Sequence, residues 1–167
     1  MRVLLSAETI ASRIRVLAAE VALEFDATQP VIALAVLRGA ATFAADLLRH
    51  VKLDVRTEYI YAESYRGATG GEVQLSPIPD VRGAQVLVVE DVVERGETLR
   101  CLAQALERAG AGRISAVALL RKPGQLTAAI PCPVLAGFDI GPEFVVGYGM
   151  DFDGRYRNLP DVCVYER

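Results

Sequence analysis

With 167 residues, 52% of them hydrophobic and 23% charged, the chain has the size and composition of one α/β domain that buries a substantial core. A formal charge of −3 argues against a nucleic-acid partner, which calls for a basic surplus, but leaves room for a local basic pocket. No apolar stretch nears the ~20 residues of a membrane helix, and the N-terminal apolar run is too short for a signal peptide. The expectation is a cytoplasmic protein, one domain over residues 1–167, with no membrane partner.

In chain order, Ser6 precedes a stripe of Ile10, Ile14, Leu17 and Val21, which predicts a capped helix over residues 7–25. After Pro30, residues 31–36 read as a buried strand, Arg38-Gly39 as a turn, and residues 41–49 as a short helix. Residues 55–61 alternate and are rich in β-formers, hence a strand. Ser64-Tyr-Arg-Gly-Ala-Thr-Gly-Gly71 has three glycines and few apolar anchors, which predicts a mobile loop. Residues 86–89 form the strongest strand signal, followed by a helix over 98–109 closed by Gly110. Further strands are expected over 114–120, 134–138, 144–147 and 162–165. Strands alternating with helices imply a mainly parallel, doubly wound sheet.

Cys101, Cys132 and Cys163 are odd in number and lack C-x-x-C spacing, so they frame neither a disulfide set nor a zinc site. They read as small core residues. His50 is the single histidine, which excludes a multi-histidine metal centre, and its place after Ala-Asp-Leu-Leu-Arg suits the end of a helix.

The chemistry is concentrated in Val86-Leu-Val-Val-Glu-Asp-Val-Val-Glu-Arg-Gly-Glu-Thr-Leu99. A buried strand ends in the acids Glu90 and Asp91, and a loop containing Gly96 then opens a helix. Open α/β sheets bind ligands beyond the carboxyl ends of their strands. Backbone N–H groups at the helix start can hold a phosphate, with Gly96 permitting close approach and Thr98 adding a hydroxyl. Two acids above such a site suit a magnesium-bound sugar polyol. The plainer alternative is a pair of solvated loop acids, with Glu97 as an ordinary helix-start charge.

This run resembles the phosphoribosyl-pyrophosphate motif of type I phosphoribosyltransferases. Four further segments are similar to the hypoxanthine-guanine branch of that family. Leu37-Arg38-Gly39 with Phe43 and Ala45-Asp46-Leu47 looks like its first loop, where an unusual non-proline cis peptide meets pyrophosphate. Ser64-Tyr65 falls where the family's flexible loop carries a Ser-Tyr pair. Leu119-Leu-Arg-Lys-Pro123 resembles the segment bearing the base-reading lysine. Phe144-Val-Val-Gly-Tyr-Gly-Met-Asp151 with Arg155-Tyr-Arg157 is similar to its most distinctive stretch. The resemblance spans almost the whole chain. It implies a type I phosphoribosyltransferase fold: a mainly parallel twisted sheet flanked by helices, with a small hood and a flexible loop.

The same resemblance assigns roles. Glu90, Asp91, Glu94, Arg95, Gly96, Glu97, Thr98 and Leu99 would bind the 5′-phosphate and ribose of phosphoribosyl pyrophosphate. Lys122, Phe144, Val145 and Asp151 would hold the purine, with Lys122 donating to the 6-oxo oxygen and Phe144 stacking on the ring. Leu37, Arg38, Gly39 and Arg157 would bind pyrophosphate. Mg2+ would be held by Glu90, Asp91 and Asp151. Pyrophosphate would leave from the ribose carbon as purine N9 attacks, while Glu94 manages a proton near N7. The implied substrates are phosphoribosyl pyrophosphate with hypoxanthine or guanine, and the implied assembly is a homodimer or homotetramer. Without the resemblance, Lys122 reads as a surface lysine, Phe144 as core and Arg38 as a solvated side chain.

One departure falls inside the loop. Where the family usually has Asp followed by Thr or Ser, this chain has Glu94-Arg95. Glutamate adds a methylene, and a displacement of roughly 1 Å can cost ~100-fold in rate, so compensation in the loop or reduced activity is expected. Arg95 removes a phosphate-binding hydroxyl; it either replaces it with a charge or projects into solvent. Arg66 and Gly141-Pro142 also differ from the usual pattern. These changes leave two other readings in view: a xanthine-preferring enzyme, and a nucleotide-binding regulator on the same fold.

Overall fold

The computed structural model describes residues 1–65 and 72–166. Its main sheet is built from β2 (Val31–Leu37), β3 (Val55–Tyr65), β4 (Glu72–Leu75), β5 (Gln85–Val93), β6 (Arg113–Arg121) and β7 (Val134–Asp139), in the order β4-β3-β2-β5-β6-β7. Neighbours pair in parallel except β4, which folds back antiparallel on β3. β1 (Arg2–Leu5), β8 (Val145–Val146) and β9 (Val162–Val164) make a second, antiparallel sheet in the order β1-β9-β8. The parallel sheet and its small companion are the architecture expected.

The central strands β2, β5 and β6 are runs of buried aliphatic residues, because helices cover both faces of the sheet. On one face lie α1 (Ala7–Ala22) and α2 (Ala41–Leu48), whose Ile10, Ile14, Leu17, Phe43 and Leu47 pack against Ala35, Leu87, Val89, Val117 and Leu119. The second sheet joins this core through Val145 and Val162, and Tyr148 follows from the turn after β8. On the other face α3 (Glu97–Arg108) sets Leu99, Leu102 and Leu106 against Leu34, Val36, Val86 and Val88. Ser6 caps α1 by accepting from the Thr9 N–H at 3.2 Å.

Two polar side chains fix the edges of this packing. Gln85, 6% exposed, accepts from the Asp26 N–H at 2.8 Å and donates to the Asp26 and Gln29 carbonyls, anchoring the linker before β2. Arg13 donates to the Ala136 and Gly137 carbonyls of β7 and forms two 2.9 Å bonds to Glu20.

Three expectations need correction. The first helix stops at Ala22; Phe25 is buried but reaches the core from the turn beyond, so its apolar side chain prolongs the periodic pattern past the helix. Ser64 and Tyr65 are not loop residues. They end β3, paired with Val73 and Glu72 of β4, while residues 66–71 of the expected loop lie outside the described residues. β1 and β4 are additional strands, each four residues long and too short to show a period in the sequence. Among the described residues no helix is long and apolar enough to cross a membrane.

Candidate active site

The site lies over the carboxyl ends of β2, β5 and β6. β2 leads outward to β3 on one side, while β5, β6 and β7 lie on the other. The crevice between the ends of β2 and β5 is therefore a topological switch point, where open α/β sheets bind ligands.

At the end of β5, Glu90 is 7% exposed and accepts from the Asp91 N–H at 3.2 Å. Asp91 accepts from the Val92 N–H at 2.7 Å. Burial pushes the Glu90 carboxyl well above its ordinary range, and the neighbouring Asp91 charge adds to this. Burial raises Asp91 too, offset in part by hydrogen bonds and by the positive Arg157. These are not solvated loop acids. Two carboxyls held together in a packed site are costly without a ligand, which marks the place as functional.

The first loop meets this pair directly. The Leu37–Arg38 peptide is cis, and a Cβ on Gly39 would fall on the Asp91 carboxylate. A Cβ on Gly149 would in turn fall on the Gly39 carbonyl oxygen, so the distinctive stretch packs on the first loop. Arg157 donates to the Gly149 carbonyl at 2.6 Å and pairs with Asp151 at 2.7 Å. Asp91, Gly39, Gly149, Arg157 and Asp151 thus form one contiguous chain of contacts from three distant segments.

Beyond β5 the loop turns over into α3. Gly96 is left-handed (φ 80°) and no side chain caps the helix start, which leaves the first-turn N–H groups free to meet an anion. Gly96 is also hemmed in by neighbouring side chains. Its open side faces the Leu126 and Ile130 methyls, 2.9 and 3.2 Å from an added Cβ. The Arg95 carbonyl accepts from the Thr127 and Ala128 N–H groups at 3.2 and 3.0 Å. Residues 126–130 are therefore a strap under the loop, which the sequence reading missed. Thr98 and Glu97 are half-buried, Leu99 is core, and the Arg95 side chain is exposed.

Lys122, after β6, is 4% exposed. Its N–H donates to the Val93 carbonyl at 2.9 Å, and its ammonium lies 3.5 Å from the Glu94 carboxylate. The surface-lysine alternative is thereby excluded. Phe144 is 52% exposed, not core, and meets Phe152 and Tyr165 nearly edge-on at 5.8 and 6.2 Å between ring centres. Val145 is buried in β8. The Arg38 side chain is exposed.

Glu90, Asp91 and Asp151, expected as joint metal ligands, are not gathered into one cluster. Among the described residues no three acidic, histidine or cysteine side chains lie close enough to hold an ion alone. Asp151 is engaged instead by Arg157 and by the Gly154 N–H at 2.7 Å.

A parallel sheet with an acid pair and an uncapped helix start at its switch point is the layout of a phosphoribosyltransferase, and the family model for the phosphoribosyl transferase domain matches residues 3–153. The chain is 38% identical to a hypoxanthine-guanine phosphoribosyltransferase of Lactococcus lactis, covering 98% of this chain and 90% of that one. It is 37% identical to the Bacillus subtilis enzyme of the same name, covering 98% and 92%. A crystal structure of a Bacillus anthracis hypoxanthine-guanine phosphoribosyltransferase superposes with a TM-score of 0.90 at 32% identity, over 99% of both chains. A Staphylococcus aureus hypoxanthine phosphoribosyltransferase gives 0.91 at 30% identity, over 99% and 91%. The chain belongs to the hypoxanthine-guanine phosphoribosyltransferase family.

Proposed function

We propose that this enzyme transfers the 5-phosphoribosyl group of phosphoribosyl pyrophosphate to hypoxanthine or guanine, giving the nucleoside monophosphate and pyrophosphate. The observation that carries this reading is the pairing of buried Lys122 with Glu94, directly beyond the buried Glu90 and the half-buried Asp91. A 6-oxopurine offers an oxygen and a ring nitrogen on adjacent edge positions. Lys122 donates to the oxygen, and Glu94 holds or accepts the proton near N7.

The remaining residues fall into place around that edge. Phe144 stacks on the ring, and Val145 meets the base through its backbone. Glu90 and Asp91 hold the ribose hydroxyls. The backbone of residues 94–99, with the Thr98 hydroxyl, surrounds the 5′-phosphate at the positive end of α3. Leu37, Arg38 and Gly39 present backbone to pyrophosphate, and Arg157 neutralises it with directed donors.

The donor set fits Mg2+. Glu90 and Asp91 form one station and Asp151 another, all three with oxygen donors, and magnesium usually takes one or two carboxylates with water and substrate phosphate. When bound, Mg2+ neutralises the leaving pyrophosphate and organises the ribose hydroxyls. Catalysis then rests on positioning and on charge placed in advance. A cytoplasmic enzyme that self-associates as a dimer or tetramer belongs to the same reading, and size-exclusion chromatography with light scattering tests the assembly.

The deciding experiment incubates the protein with Mg2+, phosphoribosyl pyrophosphate and each of hypoxanthine, guanine, xanthine and adenine. Nucleotide is expected with hypoxanthine or guanine. Turnover restricted to xanthine moves the substrate, and nucleotide binding without turnover with any base overturns the reading.

A further inference from the structure

Three consecutive residues of the stretch before Asp151 are left-handed: Gly147 (φ 93°), Tyr148 (φ 50°) and Gly149 (φ 97°). Only Tyr148 carries a side chain, and a non-glycine residue is disfavoured in that region. It persists where its surroundings hold it. The Tyr148 N–H donates to the Leu159 carbonyl at 2.8 Å, and the ring is 8% exposed. Its hydroxyl donates to the Asp46 carboxylate at 2.5 Å. Asp46 sits on α2, 102 residues earlier in the chain, and its other oxygen accepts from Arg49 at 3.1 Å.

The two ends of this bond belong to different halves of one site. α2 begins directly after Gly39 and Ala40, so Asp46 is rigidly tied to the first loop. Tyr148 is tied to Arg157, because the next residue, Gly149, exchanges backbone and side-chain bonds with it. A second contact lies one residue along, where Gly149 packs on the Gly39 carbonyl and the Thr42 hydroxyl. Two fixed points set a distance and an angle, where one would allow pivoting.

We infer that Asp46 and Tyr148 are a positioning pair that fixes the spacing between the 37–39 loop and the 149–157 loop, and so sets affinity for the pyrophosphate end of the substrate without touching the base. The inference rests on the assignment of those two loops to pyrophosphate made above. Neither side chain contacts substrate in this scheme. The pair acts through Gly39 on one side and Arg157 on the other.

The test compares full-length Tyr148→Phe, Asp46→Ala and Asp46→Asn with wild type. Tyr148→Phe and Asp46→Ala are expected to raise KM for phosphoribosyl pyrophosphate about fivefold or more, the factor that follows from losing one hydrogen bond. KM for the base should stay within about twofold. Asp46→Asn keeps an oxygen that accepts from Tyr148 and should return most of the affinity, which a general loss of stability would not do. If both KM values rise together, or melting temperature falls with KM unchanged, the inference is overturned. Asp46 has a partly exposed side chain, so its variants carry the test if Tyr148→Phe does not fold. Calorimetric titration with inorganic pyrophosphate and Mg2+ gives a second readout independent of turnover. A wild type that makes no nucleotide defeats the proposed function, and this titration still decides the pair.

Discussion

The Lys122 ammonium lies 3.5 Å from the Glu94 carboxylate, with the lysine side chain 5% exposed and the glutamate side chain 50% exposed. One end of the pair is fixed and the other is open to whatever enters the site. The extra methylene of glutamate over aspartate gives its carboxylate that much more reach toward the lysine.

Shortening the side chain should therefore not help. Glu94→Asp withdraws the carboxylate by about one C–C bond and opens the pair, so kcat is expected to fall roughly tenfold. Glu94→Gln, which keeps the shape but cannot take a proton, should lose ~100-fold or more, the usual scale for general acid–base catalysis. Steady-state kinetics with hypoxanthine checks both. A faster Glu94→Asp enzyme would show that the carboxylate is misplaced and not held.

Lys122→Met keeps the length of the buried stem and removes its charge. A charge-assisted hydrogen bond to the base is worth about 1.5–3 kcal/mol, so KM for hypoxanthine should rise ~10- to 100-fold while KM for phosphoribosyl pyrophosphate barely moves. Equal changes in both would place Lys122 outside the base site.

Part of this layout is legible in the sequence alone. Glu90 and Asp91 close a buried strand ahead of a glycine-containing loop, and that local pattern carries its own geometry. Lys122 and Arg157 are singled out only by the family resemblance, since Lys122 by itself reads as a surface lysine. What stayed hidden depends on distant contacts. Nothing in the spacing of Thr127 and Ala128 announces bonds to the Arg95 carbonyl, and nothing near Tyr148 points to Asp46. The glycines were visible, but their neighbours were not. Gly96 faces Leu126 and Ile130, and only the folded chain shows it. β4 was missed because Glu72 and Gln74 leave just Val73 and Leu75 as apolar signal.

Glu90 predicts an unusual dependence of stability on pH. Burial raises its carboxyl above the ordinary 4.5, so the folded protein holds the proton more tightly than the unfolded chain. The stability linked to it is complete below about pH 4.5 and is lost as pH rises through the elevated folded value. Glutamine has no charge to bury. Ligand-free Glu90→Gln should thus be more stable than wild type at pH 8 by on the order of 1–2 kcal/mol, and the gap should close near pH 4. Denaturant melts at the two pH values check this, and a variant less stable at pH 8 contradicts it. The same substitution should weaken binding of phosphoribosyl pyrophosphate.

Gly149 has two reasons to be glycine. Its φ is +97°, and an added Cβ would strike the Gly39 carbonyl, which is backbone and cannot swing aside. Gly149→Ala should cost more than about 2 kcal/mol, lowering Tm by roughly 5 °C or more at this chain length. Calorimetry of the purified variant decides it. A drop of under 2 °C would mean that the two loops separate easily.

Arg95 is the other departure in the loop: its charge either replaces the lost hydroxyl or leaves binding to the backbone, and the second outcome is the one expected. The side chain is exposed, while its carbonyl is held by two N–H groups of the strap, from Thr127 and Ala128. The loop's shape is thus set by bonds to a backbone carbonyl, a group that every residue type at position 95 supplies. Arg95→Ala should leave KM for phosphoribosyl pyrophosphate within about threefold of wild type, since exposed charges contribute little. Thr127→Pro, which deletes one of the two donors, should raise that KM by more than Arg95→Ala does. The reverse order would show that the guanidinium, and not the strap, does the work of the missing hydroxyl.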